Sequence, residues 1–466
     1  MSLAKHAVIQ PEHVVILGLA RQGRALARFY SMMGVRVTIS DTRSREVLAP
    51  EIKDMEMFDI NYVLGEHPMA LLDDCDLLCL SGGVPLDIPI VLEACSRGIP
   101  LSNDAQEFLA RCPAPVVGIT GSAGKTTTTT LVGEMLKSAG YTTWVGGNIG
   151  NPLINTLPQI QKQDRVVMEL SSFQLALMTV SPYVAGVLNI TPNHLDRHKT
   201  MDAYIAAKRH IVAYQSPDDY AVLGKDDENA WALRRAIPAK VYGFSGVTAV
   251  DQGSFLHDDQ LMLRREGMQT AVCERSDIHL RGDHNVLNVL AAISLANLVG
   301  APVTAMREAI KAFEGVEHRL EEVRTLDSVL WVNDSIATAP ERVLAALASY
   351  TEPLILLAGG RDKDLPWADF ARQAIQRVTV MVLFGEAAPL IYGVIKHAMT
   401  KALNASSPVL LDEVLVVDNL AEAVAEARGM SAPGDVVLLS PGGTSFDAYR
   451  DFAERGMHFR SLVQAL

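Results

Sequence analysis

The sequence predicts an α/β fold in which mostly parallel sheets are covered by helices. Short β-branched runs alternate with longer segments of helical periodicity, which is typical of parallel strands joined by crossover helices. Several of these runs end in a glycine-rich turn. The runs are residues 14–18, 35–40, 76–81, 116–120, 166–170 and 184–190 in the first half, and 354–360, 380–385 and 435–443 near the end.

The alternation of strand and helix patterns stops between residues 220 and 280. Strand-like segments such as VYGF (241–244) are separated there by Gly and Asp turns. Turn residues at this spacing favour neighbouring strands that run in opposite directions. We therefore expect an antiparallel patch here, within an otherwise parallel chain.

The length of 466 residues indicates about three domains. Pro-bearing connections near residues 98–115 and the segment FEGVEHRLE (313–321) are the best candidate linkers. We predict a Rossmann-like N-terminal domain (1–104), a central P-loop-type domain with a mostly parallel sheet (105–315) and a Rossmann-like C-terminal domain (316–466).

Composition and charge narrow the class of partner. The chain is 49% hydrophobic and 20% charged, with a formal net charge of −13 and no long Lys/Arg run. Such a chain lacks the basic surface of a nucleic-acid or anionic-membrane binder, so neither partner is expected. Small-molecule substrates are favoured instead.

Cysteine usage and the N-terminal sequence indicate the cellular compartment in which the protein is expected. The five cysteines form no C-x-x-C pair, so reduced thiols are expected. No signal peptide is visible, and no apolar run reaches the roughly 18 residues of a membrane span. We predict a cytoplasmic protein that is not inserted in a membrane.

The clearest local pattern is VVGITGSAGKTTTTT, an apolar strand followed by a Gly-rich turn, a lysine and a helix. Gly121 and Gly124 would let the backbone approach phosphates, Lys125 would neutralise oxygens, and Thr126 could ligate Mg²⁺. Five residues, instead of four, separate Gly118 from Gly124, so the match is to the shorter T-G-x-x-G-K-T form. The alternative is a Gly-rich turn with a chance lysine.

A second glycine turn, GLARQG (18–23), follows the first strand, and Asp41 ends the next. This spacing is that of a dinucleotide fingerprint, but Ala20 replaces the glycine that admits a pyrophosphate closely. A hydride-transfer cofactor is therefore disfavoured. Another phosphate-bearing ligand and a plain tight turn both remain open at this point.

Two further polar segments follow strands downstream: Glu169 opens ELSSFQ, and His194 lies in TPNHLDRH. Both are expected where open parallel sheets bind ligands. A carboxylate at a strand end can hold Mg²⁺, and a neutral imidazole can ligate a second metal. Taken singly, a capping Glu and a surface His are the competing interpretations.

The ordered set of motifs resembles the Mur ligases. The matching segments are TGSAGKT (120–126), GGNIGNP (146–152), ELSSFQL (169–175), NHLDRH (193–198), AYIAAK (203–208), GDHNVLN (282–288), EHRLE (317–321) and NDSIAT (333–338). Asp41-Thr42-Arg43, SSFQL and SPGGTSFD (440–447) are similar to the branch of the family that adds D-glutamate.

The resemblance implies a role for particular residues. Lys125, His194 and Lys208 would be catalytic, with Lys208 carbamylated by CO₂ and two Mg²⁺ ions held through Thr126, Glu169, His194 and Lys208. ATP would contact Gly121, Ser122, Ala123, Gly124, Lys125, Thr126, Thr127, Asn288, Arg319 and Asp334. Thr42 and Arg43 would lie beside the uracil, Asn148 and Ser171 beside the muramoyl substrate, and Thr338, Lys363, Ser445 and Phe452 beside the amino acid.

The implied reaction is ATP-dependent addition of D-glutamate to UDP-N-acetylmuramoyl-L-alanine through an acyl phosphate, in peptidoglycan synthesis, by a monomeric enzyme. The alternatives are L-glutamate or another amino acid in the same chemistry, an NAD-dependent oxidoreductase built on GLARQG, and a nucleotide-binding protein without catalysis. The last two leave His194, Lys208 and Asp334 unexplained.

The amino-acid region departs from the family pattern. Members that add D-glutamate commonly read D-S-K-A-T, whereas this chain has Ile336 in place of the lysine. A dianionic amino acid needs at least one cation, which Lys363 would supply together with the hydroxyls of Thr338 and Ser445. D-glutamate is the predicted substrate, and the L-isomer is the alternative.

Overall fold

The structure, a computed structural model, describes residues 9–150, 152–363, 365–405 and 407–466. Its described strands form three sheets, each with mostly parallel pairing, and the predicted three-domain α/β class is confirmed. The chain divides into two compact units: one comprises residues up to His279 and Asp283–Phe313, and the other comprises Leu280–Gly282 and Glu314–Leu466. The first unit contains two of the sheets.

The N-terminal sheet has five parallel strands in the order β3-β2-β1-β4-β5. Its strands are β1 His13–Leu17, β2 Arg36–Asp41, β3 Ile60–Leu64, β4 Leu77–Leu80 and β5 Leu101–Ser102. Its helices are α1 Arg21–Met32, α2 Ala49–Lys53, α3 Pro89–Ser96 and α4 Asp104–Arg111. The strand order reverses between β1 and β4, and the ends of such strands are where open α/β sheets bind ligands.

The central sheet has nine strands in the order β14-β13-β12-β11-β10-β9-β6-β8-β7. Its strands are β6 Val116–Thr120, β7 Thr143–Gly147, β8 Arg165–Glu169, β9 Val184–Val187, β10 Tyr220–Gly224, β11 Lys240–Ser245, β12 Gly253–His257, β13 Gln260–Arg265 and β14 Met268–Glu274. Its helices are α5 Lys125–Ser138, α6 Ser172–Leu175, α7 Leu195–His198, α8 Met201–Ala213, α9 Glu228–Ala232, α10 Asp283–Leu298 and α11 Val303–Ala312.

The antiparallel patch exists, but it begins later than expected. β12, β13 and β14 pair antiparallel, whereas β11, which contains VYGF, pairs parallel with both β10 and β12. Strand direction depends on where the chain crosses over, which a local run of apolar residues does not encode. Placing VYGF in the antiparallel patch was therefore wrong.

The C-terminal sheet has the order β15-β16-β20-β17-β18-β19 and is parallel except for the β15–β16 hairpin. Its strands are β15 Glu321–Leu326, β16 Val329–Asn333, β17 Leu354–Gly359, β18 Val380–Phe384, β19 Glu413–Val417 and β20 Val436–Gly442. Its helices are α12 Pro340–Leu347, α13 Ala368–Arg377, α14 Ala388–Asn404, α15 Leu420–Met430 and α16 Phe452–Ala465.

Alternation of side chains along the strands builds a core on each face of a sheet. In β1, Val14 and Ile16 pack into one cluster, and Val15 and Leu17 pack into another. All five residues of β1 are buried, as expected for a parallel strand covered on both faces. This burial leaves the strand ends and their loops as the places where polar side chains can meet a ligand.

Within the part of the chain that the structure describes, no helix is long and apolar enough to cross a membrane.

Candidate active site

The phosphate-loop sequence folds into a turn between β6 and α5. Gly124 caps the helix in the left-handed region, with φ +81°. A Cβ at this position would lie 2.1 Å from Oδ1 of Asn288, so both the conformation and the space require glycine. The first turn of α5 thus presents its backbone N–H groups and the positive end of its dipole beside the loop.

Lys125 folds back over the loop that precedes it. Its Nζ donates hydrogen bonds to the carbonyl oxygens of Gly121, at 2.8 Å, and Ser122, at 3.2 Å. An ammonium group held over a loop of backbone N–H groups is the arrangement that favours phosphate.

The loop is held in shape by the segment after β9, in which sequence analysis identified TPNHLDRH but not Asn189. The backbone N–H of Ser122 donates to the Asn189 carbonyl, at 2.9 Å, and that of Ala123 donates to Asn189 Oδ1, also at 2.9 Å. The Ser122 hydroxyl donates to the Thr191 carbonyl, at 2.9 Å. The signal available in the sequence was an asparagine directly after a buried apolar strand.

Glu169 connects the loop to the segment after β7. The Thr126 hydroxyl donates to Glu169 Oε2, and the Asn148 side chain donates to Oε1, each at 2.8 Å. Glu169 is only 2% exposed, so this carboxylate lies in a region where its charge is poorly screened. A hydroxyl and a carboxylate are hard oxygen donors of the kind Mg²⁺ prefers, so these residues fit the ion.

Lys208 is buried, with 1% of its surface exposed, although a lysine at this position of a helix would ordinarily be a surface residue. Its Nζ donates to the Gly121 carbonyl, at 2.9 Å, and to Thr120 Oγ1, at 3.2 Å. Burial, reinforced by the charge of Lys125, lowers the pKa of Lys208 well below its usual value, against the opposing effect of Glu169. The tertiary structure thus brings Lys208 to the phosphate loop.

The Tyr204 ring lies against Lys208 and the phosphate loop. The Tyr204 hydroxyl lies 3.1 Å from Ser122 Oγ, and Lys208 Nζ lies 4.8 Å from the centroid of the Tyr204 ring. His194 caps α7 directly before its first residue, with a left-handed φ of 54°, and its ring centroid lies 5.3 Å from that of Phe173. The described residues include no group of three or more His, Cys, Asp or Glu side chains placed to hold a metal. A metal at Glu169 would therefore draw on Thr126 and on substrate oxygens.

In the N-terminal sheet, Asp41 organises the glycine turn. Its Oδ2 accepts a hydrogen bond from the Leu19 backbone N–H at 2.8 Å, and its Oδ1 accepts one from the Arg43 backbone N–H at 3.0 Å. The Arg43 guanidinium also donates to both carboxylate oxygens. Burial raises the pKa of Asp41, but the hydrogen bonds from Arg43 and Leu19 outweigh it and lower the pKa to about 2.

A cavity of about 240 Å³ lies beside this turn, within the first unit. It is lined by Ala20, Arg21, Gln22, Ser81, Gly82, Gly83, Asn148, Ser171 and Phe173. Asn148 and Ser171 were predicted to contact substrate, whereas Thr42 and Arg43 are exposed after β2 and do not line this cavity. Arg21 was not identified from the sequence, because its partners are more than 100 residues away.

In the second unit, Asp334 is a buried carboxyl at the end of β16. Its Oδ2 accepts from the Ser440 hydroxyl at 2.8 Å, and its Oδ1 accepts from the Leu320 backbone N–H at 3.3 Å. Burial raises the pKa of Asp334 to about 7, with the Ser440 hydrogen bond and the charge of Arg319 acting in the opposite direction. Arg319 and Asp334 lie in this unit, whereas Asn288, the third residue predicted beside adenosine, lies in the first.

The residues predicted to contact the amino acid belong to the same unit as a buried arginine that sequence analysis missed. Arg455 is fully buried, and its guanidinium donates to Ser335 Oγ, to the Ser335 carbonyl and to the Gly443 carbonyl. The Ser335 hydroxyl in turn donates to the Phe452 carbonyl, at 2.8 Å. The sequence signal that could have identified Arg455 was its position one helical turn after Phe452.

Two arginines act electrostatically on Lys363, which was predicted to contact the amino acid. The pKa of Lys363 is lowered by burial and by the positive charges of Arg342 and Arg455. Arg342 also donates to the Ile336 carbonyl, at 3.3 Å. Lys363, Arg342 and Arg455 therefore form a cationic region in this unit. Such a region favours an anionic ligand.

Taken together, these features define a phosphate-loop α/β enzyme, in which a loop lysine, a buried carboxylate and a second, buried lysine meet at the carboxyl ends of parallel strands. Three family models match the chain: the Mur ligase MurD-like N-terminal domain at residues 12–103, the Mur ligase middle domain at 119–296, and the Mur ligase glutamate ligase domain at 318–443. The chain belongs to the Mur ligase family, and the prediction that it is a ligase is confirmed.

Relatives of known name match over nearly the whole length. The chain is 43% identical to a UDP-N-acetylmuramoylalanine–D-glutamate ligase of Symbiobacterium thermophilum and 38% identical to one of Clostridium botulinum, covering 98% of both chains in each comparison. Among solved structures, a UDP-N-acetylmuramate-alanine ligase of Thermotoga maritima has a TM-score of 0.56 at 20% identity, with 97% of this chain and 99% of that chain covered. A pseudomurein peptide ligase of Methanothermus fervidus has a TM-score of 0.55 at 17% identity, with the same coverage. These structures share the fold.

Proposed function

We propose that the protein joins D-glutamate to UDP-N-acetylmuramoyl-L-alanine at the expense of ATP, in peptidoglycan synthesis. The observation that carries the proposal is the 43% identity, over 98% of both chains, to a relative named for that reaction. The phosphate loop, the buried lysine and the cationic region of the C-terminal unit supply the chemistry that the reaction needs.

The reaction proceeds by activation of a carboxylate. The L-alanine carboxylate attacks the γ-phosphorus of ATP, the bond to the β,γ-bridging oxygen breaks, and an acyl phosphate and ADP form. The neutral amine of glutamate then attacks the acyl carbon, giving a tetrahedral intermediate. Collapse of that intermediate expels phosphate, and the amine loses its proton as the amide forms.

The phosphate loop holds the ATP end of this reaction. Residues 121–127 surround the phosphates with backbone N–H groups, and Lys125 offsets the negative charge that shifts during transfer. Thr126 and Glu169 would hold Mg²⁺, which supplies charge neutralisation for the transferring phosphoryl group. Asn288, Arg319 and Asp334 would lie on the adenosine side.

Lys208 has the properties of a lysine that reacts with CO₂. A lowered pKa favours the neutral form of the amine, and a neutral amine adds to CO₂ to give a carbamate and a released proton. The carbamate would place an anion beside Glu169 and, with His194, would organise a second Mg²⁺.

The N-terminal sheet would hold the nucleotide part of the substrate, with Thr42 and Arg43 beside uracil and Asn148 and Ser171 beside the muramoyl group. The glutamate would lie in the C-terminal unit against Thr338, Lys363, Ser445 and Phe452. The net charge of −13 disfavours a nucleic-acid or anionic-membrane partner, and we infer that the enzyme acts as a monomer in the cytoplasm.

The test is phosphate release from ATP measured with each substrate omitted in turn. Release should require both UDP-N-acetylmuramoyl-L-alanine and D-glutamate, and L-glutamate, D-aspartate and L-lysine should give much slower turnover. Lys125→Ala should remove activity with little change in Tm, whereas Lys137→Ala, an exposed lysine on the same helix, should retain it.

Preference for another amino acid would overturn the assignment of D-glutamate while leaving the ligase chemistry in place. Phosphate release that needs neither co-substrate, or an absorbance change with a nicotinamide cofactor, would overturn the ligase proposal.

A further inference from the structure

Arg21 belongs to the glycine turn of the N-terminal sheet and is the first residue of α1. Its guanidinium crosses to the central sheet and donates to the carbonyl oxygens of Gly150 and, at 3.3 Å, Asn148. We call residues 148–150, which follow β7, the Asn148 loop. Arg21 is thus a direct hydrogen-bonded link between the two sheets of the first unit.

The Asn148 loop is bound on its other side to Glu169. The Asn148 backbone N–H donates to the Glu169 carbonyl at 2.9 Å, and its side chain donates to the Glu169 carboxylate at 2.8 Å. The adjoining Gly147 has φ +101°, and a Cβ there would lie 2.5 Å from the Glu169 carbonyl oxygen. The loop is therefore closely packed on Glu169, and a shift of its carbonyl groups would displace the carboxylate.

The Arg21 guanidinium has N–H donors that could bind an anion. Within the described part of the chain, none of the ion pairs involves Arg21, and the carboxyl on which its charge acts, that of the buried Asp104, is not in contact with it. A guanidinium has five N–H donors, of which the two hydrogen bonds to the Asn148 loop use only part. Arg21 also lines the cavity that contains Asn148 and Ser171.

We infer that Arg21 binds the pyrophosphate of the nucleotide-sugar substrate and, through the Asn148 loop, couples the presence of that substrate to the position of Glu169. The inference rests on the proposed function for the identity of the substrate. It assigns to Arg21 two tasks: a charge-assisted contact with an anion, and the positioning of a carboxylate that lies beside the phosphate loop.

The coupling is measurable without turnover. The affinity for Mg·ADP is determined by calorimetry, with and without saturating UDP-N-acetylmuramoyl-L-alanine, for the wild type, Arg21→Gln, Arg21→Lys and Arg24→Gln. Arg24 lies on the same helix and pairs with Asp54 at the surface, so it is the matched control.

In the wild type and in Arg24→Gln, the nucleotide sugar should strengthen Mg·ADP binding by at least about fivefold, the lower range of typical coupling between sites. Arg21→Gln should reduce that factor to near one and weaken nucleotide-sugar binding by about tenfold or more. Arg21→Lys keeps the charge but not the paired donors, so it should retain most of the nucleotide-sugar affinity and lose most of the coupling.

Equal coupling in Arg21→Gln and the wild type, or no coupling in the wild type, would overturn the inference. Failure of the wild type to bind the nucleotide sugar at all would instead overturn the proposed function. Thermal unfolding of each variant shows whether the first unit is intact; if Arg21→Gln is unfolded, Arg21→Lys decides the question.

Discussion

At the scale of single residues, Lys208 shows how burial changes the chemistry of a side chain. Lys208→Ala should lower the rate of ligation by about 100-fold, because the residue would organise a metal through its carbamate. Mutation of groups that position a metal typically lowers activity 10–100-fold. Added short carboxylates should restore part of the activity by standing in for the carbamate. Initial rates with and without acetate or formate provide the measurement.

Arg209→Ala is the control, since Arg209 is the exposed neighbour of Lys208 on α8. It should keep the wild-type rate. Full activity in Lys208→Ala would show that the buried amine has only a structural role, and rescue by chloride as well as by carboxylates would exclude the carbamate.

Asp334 gives a pH dependence whose sign follows from its burial. Its pKa is raised from 3.8 to about 7, so between these values the native state binds more protons than the unfolded state. The free energy of unfolding should therefore decrease as pH rises from about 4 to about 7, by up to about 4 kcal/mol for a shift of this size. Asp334→Asn should remove that part of the pH dependence.

The measurement is urea unfolding at several pH values, followed by fluorescence of Trp331 and Trp367, which lie in the same unit as Asp334. Replacing Trp144 and Trp231 by Phe removes the signal of the other unit. A pH dependence that is the same in the wild type and in Asp334→Asn would contradict the assignment of the raised pKa.

At the scale of elements, α5 depends on a glycine at each end. Gly124→Ala introduces a left-handed alanine, with φ +81°, and a contact of 2.1 Å with Asn288 Oδ1. Gly140→Ala introduces the same backbone strain, with φ +85°, but its Cβ would meet nothing within 4 Å. Strain alone costs roughly 1–2 kcal/mol, so Gly140→Ala should be modestly destabilised and fully active.

Gly124→Ala should be destabilised further and should lose at least about tenfold in turnover, because a small misplacement of catalytic groups can cost 10²-fold. Tm and steady-state rates of the two variants provide the comparison. Equal effects of both substitutions would mean that the contact with Asn288 relaxes freely and does not shape the phosphate loop.

At the scale of the whole molecule, net charge predicts the state in solution. With a formal net charge of −13, copies of the chain repel one another at low ionic strength, and this repulsion favours a monomer. Light scattering coupled to gel filtration should give a molar mass near 50.5 kDa. A mass of twice that value, independent of dilution, would contradict the monomer.

The sequence by itself determined the features that are local in the chain. Alternating apolar runs and helical periods predicted the α/β class, and the spaced glycines before Lys125 predicted the strand–turn–helix loop that the structure forms. These patterns are readable because a turn, a helix start or a buried strand is specified by neighbouring residues. The ordered motifs were sufficient to indicate the Mur ligase family.

Only the tertiary structure decided which distant residues meet and which charges are buried. It placed Lys208 against the phosphate loop, joined Arg21 to the Asn148 loop and buried Arg455 among backbone carbonyl groups. It also set the direction of β11 and the raised pKa of Asp334. Burial and proximity arise from packing between elements that are far apart in the chain, so no local pattern of residue types encodes them.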